Sequence, residues 1–154
     1  LTAVQRKEGE SELALHVINI GAGHSVPTGS NRRAVYLIAE VLDAKGKTAA
    51  KREWMFAPWY GNRPDDRSCL EEDKKRPDAI AATQADAQGP HETSIRAGEE
   101  RILTWETGLK PGSYSVRARL VYDLNRYNDR RFVADQTETA RVSLAFPVRK
   151  EEAR

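Results

Sequence analysis

The chain of 154 residues has one cysteine, Cys69, so no disulfide can close within it. With no second thiol and no nearby histidine pair, the ligand set of a structural zinc site is missing as well. No apolar run approaches the roughly 20 residues a membrane helix needs, so no helical span is expected. Charge of one sign is also lacking: 25 basic and 23 acidic residues are mixed along the chain, for a net +2. A nucleic-acid surface needs basic residues gathered on one face, so no nucleic-acid partner is expected. The three histidines, His16, His24 and His91, are scattered, and no two have the spacing of His-Glu-x-x-His. No nucleophile elbow marks a serine hydrolase. Asn62, Asp65, Asp66 and the run Glu71-Glu-Asp73 lack the regular ligand spacing and turn glycine of a calcium loop. Cys69 stands beside those acids, which disfavour its thiolate. There is no internal repeat and no heptad.

What is present is strand sequence. Leu13 to Ile20 is short, rich in β-branched residues and ended by Gly21. Ala34 to Leu42 is apolar on both faces, as a strand central in a sheet or covered on both sides would be. Asp43-Ala-Lys-Gly46 supplies a turn, and Thr48 to Ala57 reads as the returning strand of a hairpin. Thr93 to Ile95 and Glu100 to Glu106 are strand-like, broken by Ala97-Gly98. After a turn at Leu109-Lys-Pro-Gly112 comes the clearest alternation, with Tyr114, Val116, Ala118, Leu120 and Tyr122 on one face. Ser115, Arg117 and Arg119 take the other. Ala140, Val142, Leu144 and Phe146 repeat the pattern opposite Arg141 and Ser143. The fold class is therefore all-β: one immunoglobulin-like antiparallel sandwich of about seven to nine strands over residues 1–154. The chain opens on Leu1, carries no signal peptide and runs almost directly into strand sequence, so we expect a piece of something longer.

Residues 58–90 interrupt this regularity with Trp59, Tyr60, Cys69, a charged run and an Ala-rich stretch from Asp78 to Ala87 that suits a short helix. Insertions of this length are often functional or partly disordered. Trp54 and Trp105 read as core residues. Trp59 and Tyr60, beside Pro58 and Gly61, are the candidates for a binding surface.

Between the first two strands lies Gly21-Ala-Gly-His-Ser-Val-Pro-Thr-Gly29, preceded by Val17-Ile-Asn-Ile20 and followed by Arg33. This nonapeptide resembles the G-x-G-H-x-x-P-T-G signature of the β-sandwich domain attached to multihaem c-type cytochromes. Ile95-Arg-Ala-Gly-Glu99, Leu109-Lys-Pro-Gly-Ser-Tyr-Ser-Val116 and Arg119-Leu-Val-Tyr122 fit the same pattern more weakly, and residues 58–90 do not match it. The resemblance implies an accessory electron-transfer domain of the periplasm or cell surface, bacterial or archaeal. One departure bears on the chemistry. Covalent haem c needs Cys-x-x-Cys-His, whereas Cys69 precedes Leu70, Glu71, Glu72 and Asp73. This chain binds no haem covalently, and any haem c belongs to a neighbouring domain or a partner.

His24 is the residue to single out. Gly21, Gly23, Pro27, Thr28 and Gly29 would hold its imidazole on the rim of the sandwich, their glycines permitting positive φ and the Thr28 hydroxyl closing the turn. So presented, His24 is either an axial ligand to haem iron or a residue that satisfies its own loop's backbone groups. His16, mid-strand among apolar residues, reads as a partly buried strand residue, and His91 as a solvated loop position. The leading expectation is a haem-free accessory domain docking on the haem-bearing part of a multihaem system. The alternative is an extracytoplasmic glycan- or protein-binding module using Trp59 and Tyr60. A catalytic role is the remaining class, and it would require His24 or an acid of residues 58–90 to meet a second titratable group in a cavity.

Overall fold

The computed structural model describes residues 1–7, 9–29, 32–57, 79–81, 94–125 and 136–149. Among these the fold is all-β, with no helix. The strands are β1 (Thr2–Gln5), β2 (Glu12–Ile18), β3 (Ala34–Asp43), β4 (Thr48–Phe56), β5 (Ala79–Ala81), β6 (Glu100–Glu106), β7 (Gly112–Asp123) and β8 (Gln136–Val148). They form a three-stranded sheet, β1-β2-β6, and a five-stranded sheet, β5-β4-β3-β7-β8. Every pairing is antiparallel except β4 with β5. Leaving β5 aside, these neighbours are those of an immunoglobulin-type sandwich, as the spacing of strand and turn signals predicts.

A second mark of that fold stands at the start of β7. The Tyr114 hydroxyl donates to the Lys110 carbonyl at 2.9 Å, tying the corner between β6 and β7 by a tyrosine four residues downstream. Gly112 leaves room for it, since a Cβ there would lie 3.1 Å from the Tyr114 ring.

The core lies between the sheets. Leu13, Leu15 and Val17 of β2 and Leu103 and Trp105 of β6 face Val35, Leu37, Ala39 and Val41 of β3, Trp54 and Phe56 of β4, and Val116 and Ala118 of β7. These positions alternate along each strand, as residues sharing one pleated face must. β3 is buried on both faces, because Tyr36 and Ala34 form a second, smaller cluster with Met55 and Ala57 on the opposite side of the sheet. That is the reason its sequence is apolar throughout.

Turn chemistry follows the sequence. The Asp43 carboxylate accepts from the Lys45 and Lys47 amides, each at 2.9 Å, and Gly46 takes φ of 77°. In the β7–β8 ladder the register shifts between Leu120 and Val121, which pair with Ala140 and Glu138, so that Thr139 is an extra residue.

Three expectations need correction. β2 ends at Ile18 rather than Ile20, because Asn19 turns the chain. Of the strand expected over Thr93 to Ile95, Ser94 is irregular and Ile95 makes a single antiparallel bridge to Val26, while Thr93 lies outside the described residues. Ala79–Ala81, within the stretch suited to a helix by composition, is a strand, paired in parallel with Glu53–Met55 at the edge of β4. Its ladder bonds outweigh the helix propensity of alanine, which is a weak preference per residue. The rest of 58–93, with Trp59, Tyr60, Cys69 and His91, lies outside the described residues.

Candidate functional site

The loop after β2 is organised by Asn19, a buried polar residue that sequence reasoning did not single out. Its Nδ2 donates to the carbonyls of His24, at 2.9 Å, and Ile95, at 3.0 Å. Its Oδ1 accepts from the Ala22 amide at 3.3 Å. Its own backbone bonds Glu99 at 3.1 Å and Gly98 at 2.8 Å. One amide side chain thus satisfies groups on both sides of the loop, and burial makes each of these bonds costly to lose. The signal was available: an asparagine closing an apolar strand, directly before a glycine-rich segment, is a buried polar group in search of partners.

Below Asn19 the loop is clamped to the 94–99 segment. Val26 and Ile95 exchange both backbone hydrogen bonds at 2.9 Å. Pro27 follows through a cis peptide and is fully buried. Gly29 takes φ of 85°, and the Arg33 guanidinium, which reaches the Thr28 carbonyl at 3.2 Å, lies 3.3 Å from where a Gly29 Cβ would stand. Thr28 contributes through that carbonyl. Of the three glycines only Gly29 uses a positive φ, and a Cβ on Gly21 or Gly23 would meet nothing within 4 Å.

His24 sits at the exposed tip of this loop. Its Nδ1 lies 2.9 Å from the Ser25 carbonyl oxygen. A carbonyl only accepts, so Nδ1 carries the hydrogen, and the neutral ring leaves its lone pair on Nε2. That is the arrangement found in histidines that ligate metals, where a hydrogen bond at one nitrogen fixes the tautomer and orientation of the other. The ring thus bonds its own loop through one nitrogen, and the other keeps its lone pair.

His16, on the outer face of the three-stranded sheet, is held differently. Its Nδ1 lies 2.7 Å from the Glu100 carboxylate, across the strand pair β2–β6.

A shallow depression of about 240 Å³ lies elsewhere, on the outer face of the larger sheet, lined by Ile38, Glu40, Arg117, Arg119 and Arg141. Arg141 there grips the Glu138 carboxylate with two bonds, of 2.8 and 2.9 Å. These bonds lower the Glu138 pKa and raise that of Arg141. Neither His24 nor His16 lines the depression. Among the described residues no three metal-ligating side chains gather at one point. No described helix is long and apolar enough to cross a membrane.

A solved structure shares this fold. It is a penta-heme cytochrome c552 from Thermochromatium tepidum, 18% identical, with a TM-score of 0.58 over 96% of this chain. The chain spans 38% of that protein's length. No protein-family model and no curated protein matches the chain.

Proposed function

We propose that this chain is the haem-free accessory sandwich of a multihaem electron-transfer system of the periplasm or cell surface. It docks on the haem-bearing part through the end of the sandwich that carries His24 and gives one iron an axial imidazole. The observation that carries this reading is the Nδ1 bond of His24 to the Ser25 carbonyl, which leaves the Nε2 of an exposed ring with its lone pair. The glycines on either side support it. Gly21 and Gly23 meet no steric need within the described residues, so their value is in the bare backbone they leave beside the imidazole, where a flat group can come close. The fold shared with part of a penta-heme cytochrome agrees with a place beside haem domains.

A haem so reached would carry the electron; the chain's share is to orient the imidazole, hold its tautomer and keep water from the covered face. With one cysteine in the sequence, the macrocycle itself must be anchored elsewhere.

The test uses the chain with His16→Gln and His91→Gln, which leaves His24 as its one imidazole. The probe is a ferric haem peptide whose own histidine fills one axial position. Conversion of the iron from high to low spin, abolished by His24→Ala, is expected. No conversion would reduce His24 to a loop residue and the domain's role to packing and docking.

A further inference from the structure

β8 is the outermost strand of the larger sheet, with β7 on one side of it. Its last residues show which backbone groups face the other side. The Arg149 amide donates to the Gly9 carbonyl at 2.8 Å, and the Pro147 carbonyl accepts from the Gln5 side-chain amide, both away from β7. Pro147, which has no N–H to give, stands where a strand proline must, with its nitrogen off the ladder. The β7–β8 register is regular from Val148 back to Ala140, so the two sides alternate along this stretch. Arg141, Ser143 and Ala145 therefore turn their N–H and C=O groups to the open edge, while Ala140, Val142 and Leu144 bond β7. Among the described residues nothing bonds the edge-facing backbone of those three.

The side chains agree with an open edge. Phe146 and Val148 are buried, whereas Ala140, Val142 and Leu144, turned to the same core, are only half-buried. Such an edge is a template for another strand, and bulges and prolines are the usual guards against it. β8 has one of each, the extra residue at Thr139 and Pro147, and they bracket the open stretch without interrupting it. The stretch also fits a copy of itself. Antiparallel addition of a second β8 must set inward side chains opposite inward ones. Centred on Arg141, it would oppose two guanidinium groups, which is unfavourable. Centred on Val142, it would set Ala145 against the extra residue Thr139, and centred on Leu144, Arg141 against Pro147. Centred on Ser143, all three free residues find partners: Arg141 meets Ala145, Ser143 meets its own copy, and Val142 lies opposite Leu144 on the core side.

We propose that the partner of this edge is a second copy of the chain, joined by antiparallel pairing of β8 with β8 about a two-fold axis at Ser143. Each of the opposed pairs exchanges both of its backbone hydrogen bonds, and the two larger sheets become one continuous sheet. Pairing of this isologous kind occupies both edges at once, so assembly stops at the dimer. The opposite outer strand, β5, has three residues and offers no comparable template. The dimer uses no residue of the His24 loop and does not rest on the haem reading.

Sedimentation equilibrium over a concentration series should show a mass rising to that of two chains. Ser143→Pro removes an edge-facing N–H that β7 does not use, and should raise the dissociation constant at least about tenfold. Circular dichroism melts establish that this variant is folded. A cross-link reads the register without it, because opposed hydrogen-bonded residues have Cα atoms about 5.5 Å apart, within disulfide reach. Ser143→Cys in a Cys69→Ser chain should form a covalent dimer under mild oxidation, and Arg141→Cys in the same chain should not. The amides of Arg141, Ser143 and Ala145 should exchange freely in dilute protein and become protected on concentration, with Val142 and Leu144 protected throughout. A single-chain mass up to millimolar concentration would overturn the proposal, and protected edge amides in that single chain would assign the edge to another part of the same chain. Undiminished dimerisation of a folded Ser143→Pro chain, or equal cross-linking through Arg141→Cys, would overturn it as well.

Discussion

Trp54 and Trp105 meet edge to face across the sandwich, one from each sheet, with ring centroids 5.9 Å apart and planes at 80°. Immunoglobulin domains commonly pin their sheets with a disulfide packed against a tryptophan. This chain has no second cysteine, and two buried indoles take the place of the pin. The Arg52 guanidinium, 5.2 Å from the Trp54 ring, adds a cation–π contact on one of them.

Replacing either indole should therefore cost more than an ordinary core residue. Trp105→Ala is expected to destabilise by about 3–5 kcal/mol through lost transfer energy and the cavity left behind. A double-mutant cycle with Trp54 should show coupling of about 0.5–1.5 kcal/mol beyond area burial. Urea unfolding followed by circular dichroism gives both numbers. Additive effects would mean that the rings merely share the core.

Asn19→Ala should cost about 1–3 kcal/mol, because the His24 carbonyl loses the Asn19 donor and the Ile95 carbonyl keeps only the Val26 amide. Asn19→Asp should do no better, since a carboxylate has no hydrogen to give them. Amide exchange at Ala22 and Val26 should quicken in both, ahead of any change in β7. Unaltered protection there would show that the loop is held by the Val26–Ile95 bridge alone.

The three loop glycines should separate cleanly. Gly29→Ala places a side chain at φ of 85° and against Arg33, so a loss of about 1–2 kcal/mol is expected. Gly21→Ala and Gly23→Ala enter open space at ordinary φ and should leave the melting temperature unchanged or slightly raised. The same two variants should weaken haem-peptide binding at His24. Thermal melts and the spin-state titration together test this, and a destabilised Gly23→Ala chain would point to a role within the fold instead.

Glu138 should titrate below the ordinary carboxylate range. Its cause is chiefly the two-pronged bond from Arg141, opposed by desolvation and helped by the charges of Arg141 and Arg119. The folded value is the depressed one, so the pair's contribution is complete above the ordinary carboxylate range and fades as pH falls through the folded value. Between neutral and mildly alkaline pH it is constant. Carboxyl carbon shifts by NMR would follow it, and Arg141→Gln should move the midpoint upward. A midpoint indifferent to Arg141 would place the cause elsewhere.

Much of this molecule was legible because burial writes a period into the chain. The alternation Val116, Ala118, Leu120 gave β7 its inward face, and the unbroken apolar run of β3 announced a strand covered on both sides. The His24 loop was legible as a loop from its glycines and proline. The partners of Asn19 beyond its own loop were not, because no local pattern reveals a contact with Ile95, Gly98 or Glu99. Nor was the partner of His16, because Glu100 meets it from 84 residues away.

The extra residue at Thr139 has a further consequence. Glu138 and Arg141 are three apart, an odd interval that in a regular strand would send their side chains to opposite sides. The irregularity makes up the count: Glu138 pairs with Val121 and Arg141 with Arg119, two partners of like parity on β7. The bulge thus lets two residues at an odd interval share one face of the strand. Deleting Thr139 would leave the two residues an even interval apart, so a regular ladder would keep the same partners on β7 and hold both charges outward.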